Sequence, residues 1–179
     1  MADVVVLPGG KFGPAAGMLM YAAAVPERRG ATVHRHQWPA KLTDPFAPTA
    51  EAWVEDQVNP LLDTLGGTPL LIGKSLGSHA ARLAAMRDLP AVWLTPLLTM
   101  PWIVAALGRT TAPFLLVGGT ADEYWDGTAA RRLTPHVLEI ENANHGLFRP
   151  GPMIETITAL GRMVTAMEQF LDTINQEDR

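Results

Sequence analysis

Three side chains of this sequence together offer a nucleophile, a base and an acid. Ser75 lies in a Gly-x-Ser-x-Gly pattern between Gly73 and Gly77. The pattern follows an apolar run and precedes an alanine-rich segment, which predicts a strand, a tight turn and a helix that lift the serine hydroxyl above a sheet edge. Asp122 and His145 each follow a later apolar run. A hydroxyl activated by an imidazole, which a carboxylate orients, is the chemistry of acyl transfer.

The small residues around Ser75 favour this interpretation. Gly73 and Gly77 leave room for neighbouring backbone to approach a strained turn. The backbone N–H of Leu76 points from the helix start toward any oxyanion that forms above Ser75. As an alternative, Ser75 is a simple helix N-cap, which the flanking glycines disfavour.

Six segments predict strands, and they alternate with helical segments. The strands are expected at 4–7, 31–38, 70–72, 91–95, 113–119 and 136–140. The helices are expected at 15–25, 49–65, from 76 to 88, 124–133 and 154–174, with a kink or break at Pro60. This alternation predicts one α/β domain over residues 1–179, with a mostly parallel sheet covered by helices on both faces. The polar residues of 31–38 indicate a strand near a sheet edge.

The carboxyl ends of parallel strands share one edge of a sheet, where reactive groups gather. Ser75, Asp122 and His145 all follow strands and are therefore expected at that edge. Glu123 and Asp126 lie close to Asp122 in the sequence and remain alternative acids.

Composition excludes several classes of protein. The net charge of −4 and the pI near 5.7 give no basic patch for nucleic acid or an anionic membrane. The chain has no cysteine, so a disulfide, a thiolate zinc site and a cysteine nucleophile are excluded. His34 and His36 share one face of a strand but lack a third metal ligand nearby, so neither metal nor cofactor is expected. The absence of a signal peptide and of a long apolar run predicts a cytoplasmic protein.

The elbow around Ser75, the Gly-Gly-Thr-Ala-Asp segment ending at Asp122 and the Asn-Ala-Asn-His-Gly segment around His145 resemble those of the α/β-hydrolase superfamily. The resemblance covers nearly the whole chain and implies a compact three-layer fold that lacks the first two strands of the full fold. It implies Ser75 as nucleophile, His145 as general base and acid, and Asp122 as the residue that orients the imidazole.

The resemblance also implies an oxyanion hole. Its donors would be the backbone N–H of Leu76 and one from the loop after the first strand, at Gly10 or Lys11. That loop reads Leu-Pro-Gly-Gly where the family has His-Gly, which leaves the second donor open. Lys74 takes an elbow position where the family often has histidine, and we expect its exposed ammonium to bias the local field.

The family usually inserts a lid where this chain has residues 97–112, and the shortness of the segment predicts an open site. Candidate pocket residues are Phe12, Leu98, Met100 and Trp102. Packing in the domain core is an equally good interpretation of the last three.

The sequence therefore predicts a serine hydrolase that cleaves an ester or thioester of a small-molecule acyl substrate. Amide hydrolysis and acyl transfer use the same residues and remain open, as do the substrate and the oligomeric state. The alternative is a non-catalytic ligand-binding or interaction protein on the same fold. A nucleotide-binding domain is disfavoured, because residues 8–13 lack the order Gly-x-Gly-x-x-Gly.

Overall fold

Six parallel strands form the central sheet, in the order β2-β1-β3-β4-β5-β6. The computed structural model describes residues 3–11, 13–15 and 17–177, with side chains described as far as residue 174. The strands are β1 (Asp3–Leu7), β2 (Thr32–Arg35), β3 (Leu70–Lys74), β4 (Ala91–Leu94), β5 (Phe114–Gly119) and β6 (Val137–Ile140). The predicted parallel sheet of about six strands is confirmed.

Helices cover both faces of this sheet. They are α1 (Met18–Glu27), α2 (Thr49–Leu62), α3 (Ala81–Arg87), α4 (Pro101–Leu107), α5 (Gly127–Leu133) and α6 (Met153–Glu177). A 3₁₀ turn, Ser75–Ala80, connects β3 to α3. No helix in the described ranges is long and apolar enough to cross a membrane.

The strands supply alternate side chains to two cores, as their apolar sequences require. Val5 and Leu71 pack with residues of α2, α3, α4 and α5. Val6 and Ile72 point to the other face, where they pack with α1 and α6. The predicted edge position of residues 31–38 is confirmed, because β2 lies at one end of the sheet and is only partly buried.

Two prolines lie inside helices that they were expected to end or break. The prediction that the first helix ends before Pro26 is wrong, because α1 runs through Glu27. The helix break considered at Pro60 does not occur, because α2 continues to Leu62. Both prolines lie in the last turn of their helix, where each removes one N–H bond to the carbonyl four residues earlier and the helix ends within two residues.

The segment 97–112 is part of the core rather than a cover over the sheet edge. Its centre forms α4, a helix that begins with Pro101 and that the sequence analysis did not predict. Ile103 and Leu107 of this helix are fully buried. This packing agrees with the open site that the short segment predicts.

Candidate active site

The nucleophile candidate, Ser75, is the first residue of the 3₁₀ turn that follows β3. Its φ of 51° is in the left-handed region, which a residue with a Cβ rarely occupies. Such a conformation costs about 1–3 kcal/mol and is maintained only where the surrounding structure enforces it. The predicted strand and tight turn are found, although the first turn of the helix is 3₁₀ rather than α.

Close packing explains why the elbow carries glycine on both sides of Ser75. A Cβ added to Gly73 would lie 2.5 Å from a ring atom of Trp93. A Cβ added to Gly77 would lie 2.5 Å from the carbonyl oxygen of Leu7, in the neighbouring strand β1. The elbow is therefore clamped between a core indole and strand backbone, and larger residues would push it out of position.

The imidazole of His145 joins the serine to a buried carboxylate. Its Nε2 lies 2.8 Å from Ser75 Oγ, and its Nδ1 lies 2.8 Å from Asp122 Oδ2. The Asp122 side chain is fully buried, whereas that of His145 is 29% exposed. An ionised Asp122 accepts a hydrogen bond from the Nδ1–H of His145, which leaves the lone pair of Nε2 facing the serine hydroxyl. The three candidate residues are thus brought together in the geometry that base-assisted nucleophilic attack requires.

The structure distinguishes Asp122 from its two neighbouring acids. The other oxygen of Asp122, Oδ1, accepts the backbone N–H of Tyr124 at 3.0 Å, which fixes the carboxylate plane. Asp126 caps α5 instead, because its Oδ1 accepts the N–H groups of Thr128 and Ala129, each at 2.9 Å. Glu123 is exposed. Of the three carboxylates, Asp122 is the one bonded to His145.

The loop that carries His145 is held by a side chain that sequence reasoning missed. Asn144 Oδ1 accepts the N–H groups of Gly146 at 2.9 Å and Phe148 at 3.1 Å. Asparagine next to glycine is a common turn former, so the Asn-His-Gly order contained the signal for this turn. The turn presents the imidazole toward Ser75 while Leu147 is buried beneath it.

A second residue that the sequence did not reveal ties the elbow to the loop after β4. Ser78 Oγ donates to the carbonyl oxygen of Ser75 at 2.6 Å and accepts the N–H of Leu97 at 3.3 Å. Ser78 is almost completely buried. Its hydroxyl therefore links the strained backbone of the elbow to the loop after β4.

The loop after β1 lies directly against the elbow, as the predicted oxyanion hole requires. A Cβ added to Gly9 would lie 3.5 Å from the Cβ of Ser75, and one added to Gly10 would lie 3.8 Å from a methyl of Leu76. The carbonyl of Pro8, just before these glycines, accepts the indole N–H of Trp38 at 3.0 Å. These contacts hold the loop beside Ser75.

A cavity of about 280 Å³ opens beside His145. Its lining is Ala121, Asp122, Glu123, Asn144, His145, Gly146 and Phe148. Of the predicted pocket residues that the structure describes, none lines this cavity. Leu98 is buried in the core, and Met100 and Trp102 pack against that core. Phe12 lies outside the described residues.

Solved structures share this arrangement of strands and helices. Est1E from Butyrivibrio proteoclasticus, solved with ferulic acid, matches with a TM-score of 0.74 and 14% identity over 100% of this chain and 90% of that chain. A protein from Xanthomonas campestris, described as a hydrolase of the α/β superfamily, matches with a TM-score of 0.68 and 22% identity over 97% and 99% of the two chains. The chain has the α/β-hydrolase fold.

A second protein from Xanthomonas campestris, a serine hydrolase without a lid, shares the α/β-hydrolase fold with a TM-score of 0.59 and 17% identity over 95% of this chain and 81% of that chain. No protein-family model matches the sequence, and no curated protein matches it. At these identities the solved structures show the fold of the chain, and this is the fold expected from the resemblance of its sequence to the α/β-hydrolase superfamily.

On this α/β-hydrolase fold an aromatic pair lies beside the triad candidates. The ring of Tyr124 meets that of His145 edge-on, with 5.1 Å between centroids. Phe46, from the loop 36–48 between β2 and α2, stacks on Tyr124 at 5.1 Å with an interplanar angle of 12°. This loop, which we call the β2–α2 loop, was not predicted to approach the site.

A buried histidine anchors the β2–α2 loop. His79 is fully buried, and its Nε2 lies 2.9 Å from the carbonyl oxygen of Pro45, so Nε2 carries the proton. Its Nδ1 is buried without a hydrogen-bond partner among the described residues. Burial lowers the pKa of His79, and the bond to Pro45 only partly offsets this effect.

Lys74 is less exposed than we expected from the sequence. In β3 it continues the face of Leu70 and Ile72, which points toward α1 and α6, and its side chain is half-buried against Gly9. Burial lowers the pKa of Lys74 to about 8; the Asp122 carboxylate opposes this shift, and Lys11 adds a smaller lowering. The prediction of an exposed ammonium is therefore wrong.

The described residues contain no group of three or more metal-ligating side chains placed to hold an ion. Of the two histidines considered as ligands, His34 pairs with Asp3 at 2.8 Å. His36 packs edge-on against Trp38, and burial lowers its pKa.

Proposed function

We propose that this protein is a serine hydrolase that cleaves a carboxylic ester or thioester of a small-molecule acyl substrate through an acyl-enzyme on Ser75. One observation carries the proposal, namely the His145 ring that reaches both Ser75 Oγ and Asp122 Oδ2 at 2.8 Å. A strained serine at the start of a helix, with an imidazole positioned to remove its proton, is costly to maintain for structure alone.

In the acylation step, Ser75 Oγ attacks the substrate carbonyl while His145 Nε2 removes the hydroxyl proton. The carbonyl π electrons move onto oxygen and form a tetrahedral oxyanion. When the intermediate collapses, the bond to the leaving oxygen or sulfur breaks, and His145 returns its proton to that atom. Asp122 keeps the imidazole in the required tautomer and stabilises the imidazolium.

In the deacylation step, water takes the place of the serine hydroxyl. His145 removes a proton from water as its oxygen attacks the acyl carbon, and then protonates Ser75 Oγ as the acyl bond breaks. The products are the free acid and the unchanged enzyme, so the balance needs only water.

The oxyanion is stabilised by backbone N–H groups at the elbow. We assign one donor to Leu76, at the start of the 3₁₀ turn, and the other to Gly10 or Lys11 in the loop after β1. The contacts of Gly9 with Ser75 and of Gly10 with Leu76 support this assignment, because they place the loop against the elbow.

The structural neighbours support hydrolysis in general. They include Est1E, solved with ferulic acid, and a serine hydrolase without a lid. The core position of α4 supports an open site that admits substrates without a covering domain.

The test is turnover of a panel of short-chain methyl esters and acyl thioesters by the wild type, Ser75→Ala and Thr158→Ala. The control removes an exposed hydroxyl on α6, away from the strand ends. We expect turnover in the wild type and the control, and loss of at least 10³-fold in Ser75→Ala. If the folded wild type turns over no ester or thioester but retains a panel compound in a binding assay, the alternative of a non-catalytic ligand-binding protein is supported instead.

A further inference from the structure

The residue before the nucleophile is a cation that forms no salt bridge with the described residues. Lys74 is half-buried at the end of β3, with its Cδ 3.1 Å from the position of a Cβ added to Gly9. Among the described residues, no carboxylate comes within salt-bridge distance of its ammonium. An ammonium that is removed from water without a partner is unfavourable unless a ligand compensates it.

A second cation is close to the first. Lys11 lies in the loop after β1, is exposed, and is near enough to Lys74 for the two charges to repel. It too forms no salt bridge within the described ranges. The Asp122 carboxylate attracts the charge of Lys74, but its Oδ2 is already bonded to His145. Two cations without a salt bridge among the described residues are therefore supplied by β3 and by the loop after the neighbouring strand β1, although the chain has a net charge of −4.

The opposite side of the site has the opposite charge. Glu123 follows β5 and lines the cavity beside His145, whereas Lys74 and Lys11 belong to β3 and to the loop after β1. In the sheet, β5 is two strands away from β3, about 10 Å. A ligand with a negative group is therefore attracted to the lysine side and repelled from the cavity side.

We propose that Lys74, assisted by Lys11, binds an anionic group of the substrate, so that the preferred substrate is an ester or thioester with a carboxylate or similar anion close to the scissile carbonyl. The inference rests on the proposed function and names its substrate class. Lys74 is the specificity-determining residue, and Glu123 sets the direction in which the anion points.

The first test compares methyl valerate with monomethyl glutarate, in which a carboxylate replaces the terminal methyl group. We expect the wild type to prefer the glutarate ester at least tenfold in kcat/KM, and Lys74→Met to lower that preference at least tenfold, about 1.4 kcal/mol. Lys74→Arg keeps the charge and should retain most of the preference. The matched control, Arg28→Met, removes an exposed cation at the C-terminal end of α1, and we expect it to leave the preference unchanged.

The outcomes separate recognition from a general field effect. If Lys74→Met lowers kcat/KM for both esters by the same factor, the lysine acts on the oxyanion and the inference is overturned. It is equally overturned if the wild type shows no preference for the glutarate ester.

The second test does not depend on turnover. Binding of the same two esters is measured by NMR titration on Ser75→Ala, with and without Lys74→Met. Selective binding of monomethyl glutarate that Lys74→Met removes supports the anion site, even if the wild type hydrolyses neither ester and the proposed function fails. Equal binding of both esters to Ser75→Ala, together with hydrolysis by the wild type, overturns the anion site and leaves the proposed function standing.

Discussion

His79 Nε2 donates a hydrogen bond to the carbonyl oxygen of Pro45 at 2.9 Å, and this bond ties the turn after the nucleophile to the β2–α2 loop. The next residue of that loop, Phe46, stacks on Tyr124, whose ring contacts His145. One buried imidazole therefore connects the nucleophile side of the site with the aromatic pair beside the base.

Replacing His79 by leucine removes the donor to Pro45 while keeping an apolar side chain in the core. We expect a loss of about 1–2 kcal/mol in the free energy of unfolding at pH 8, because the Pro45 carbonyl loses its partner. The measurement is urea denaturation of the wild type and His79→Leu. Equal stability of the two proteins would show that the bond contributes nothing to the fold.

The same pair of proteins tests a pH dependence. Burial lowers the pKa of His79 in the folded state below its ordinary value of 6.5, so below pH 6.5 the unfolded chain binds more protons at this site. Stability from the neutral imidazole is present above pH 6.5 and is lost as the pH falls toward the folded pKa. The fall in unfolding free energy between pH 8 and pH 5 should be smaller in His79→Leu than in the wild type. A fall of the same size in both would contradict the assignment.

The glycine after the nucleophile should tolerate no side chain. A Cβ at Gly77 would lie 2.5 Å from the Leu7 carbonyl oxygen, and strand backbone cannot give way cheaply. We expect Gly77→Ala to lower the free energy of unfolding by at least about 2 kcal/mol. Gly161→Ala is the matched control, because nothing lies within 4 Å of that Cβ and alanine favours the α6 helix by about 0.5–1 kcal/mol. Thermal unfolding of the wild type, Gly77→Ala and Gly161→Ala measures this difference, and Gly77→Ala should be the least stable of the three.

The choice of acid is tested by two aspartates four residues apart. Asp122→Asn keeps the shape of the side chain but lets the amide donate to Nδ1, which favours the wrong imidazole tautomer, and kcat should fall on the order of 10⁴-fold. Asp126→Ala removes the cap of α5 and should cost about 1 kcal/mol of stability without affecting kcat. Ester kinetics together with urea denaturation separate the two effects. The reverse pattern would make Asp126 the acid.

Much of this arrangement could be predicted from the sequence. The apolar runs are long enough to identify buried parallel strands, and the rule that reactive groups follow such strands brings Ser75, Asp122 and His145 to one edge. The partial burial of Lys74 could also be predicted from the sequence, because strand alternation puts it on the face of Leu70 and Ile72. Lysine is usually exposed in proteins, and the expectation for Lys74 rested on that tendency.

Other features depend on contacts that have no local pattern. The β2–α2 loop has no periodicity, and the contact between Phe46 and Tyr124 joins residues far apart in the chain. Pro26 and Pro60 were expected to stop or break their helices, and only the observed helix ends show that they lie in the last turn. The choice of Asp122 over Asp126 likewise depended on the structure, in which the Asp126 carboxylate caps α5.

The charge of Lys74 gives a further pH prediction. The pKa of this amine is about 8, so its ammonium loses its proton as the pH rises through 8. The preference of the wild type for monomethyl glutarate over methyl valerate should therefore decrease between pH 7 and pH 9. An NMR titration of the ¹³C-dimethylated lysines, with the Lys74 signal assigned by its absence in Lys74→Met, should show a midpoint near pH 8. A preference that stays constant over this range would contradict the role of the ammonium.

The central claim is that His145 and Asp122 activate the hydroxyl of Ser75. The most direct measurement is labelling with a fluorophosphonate, read by intact mass and peptide mapping, on the wild type, Ser75→Ala and Asp122→Asn. Mapping distinguishes Ser75 from Ser78, the only other serine of the chain. Our account predicts one adduct, on Ser75, that is absent in Ser75→Ala and forms much more slowly in Asp122→Asn. A folded wild-type protein that takes up no label, or that is labelled at a residue other than Ser75, would contradict it.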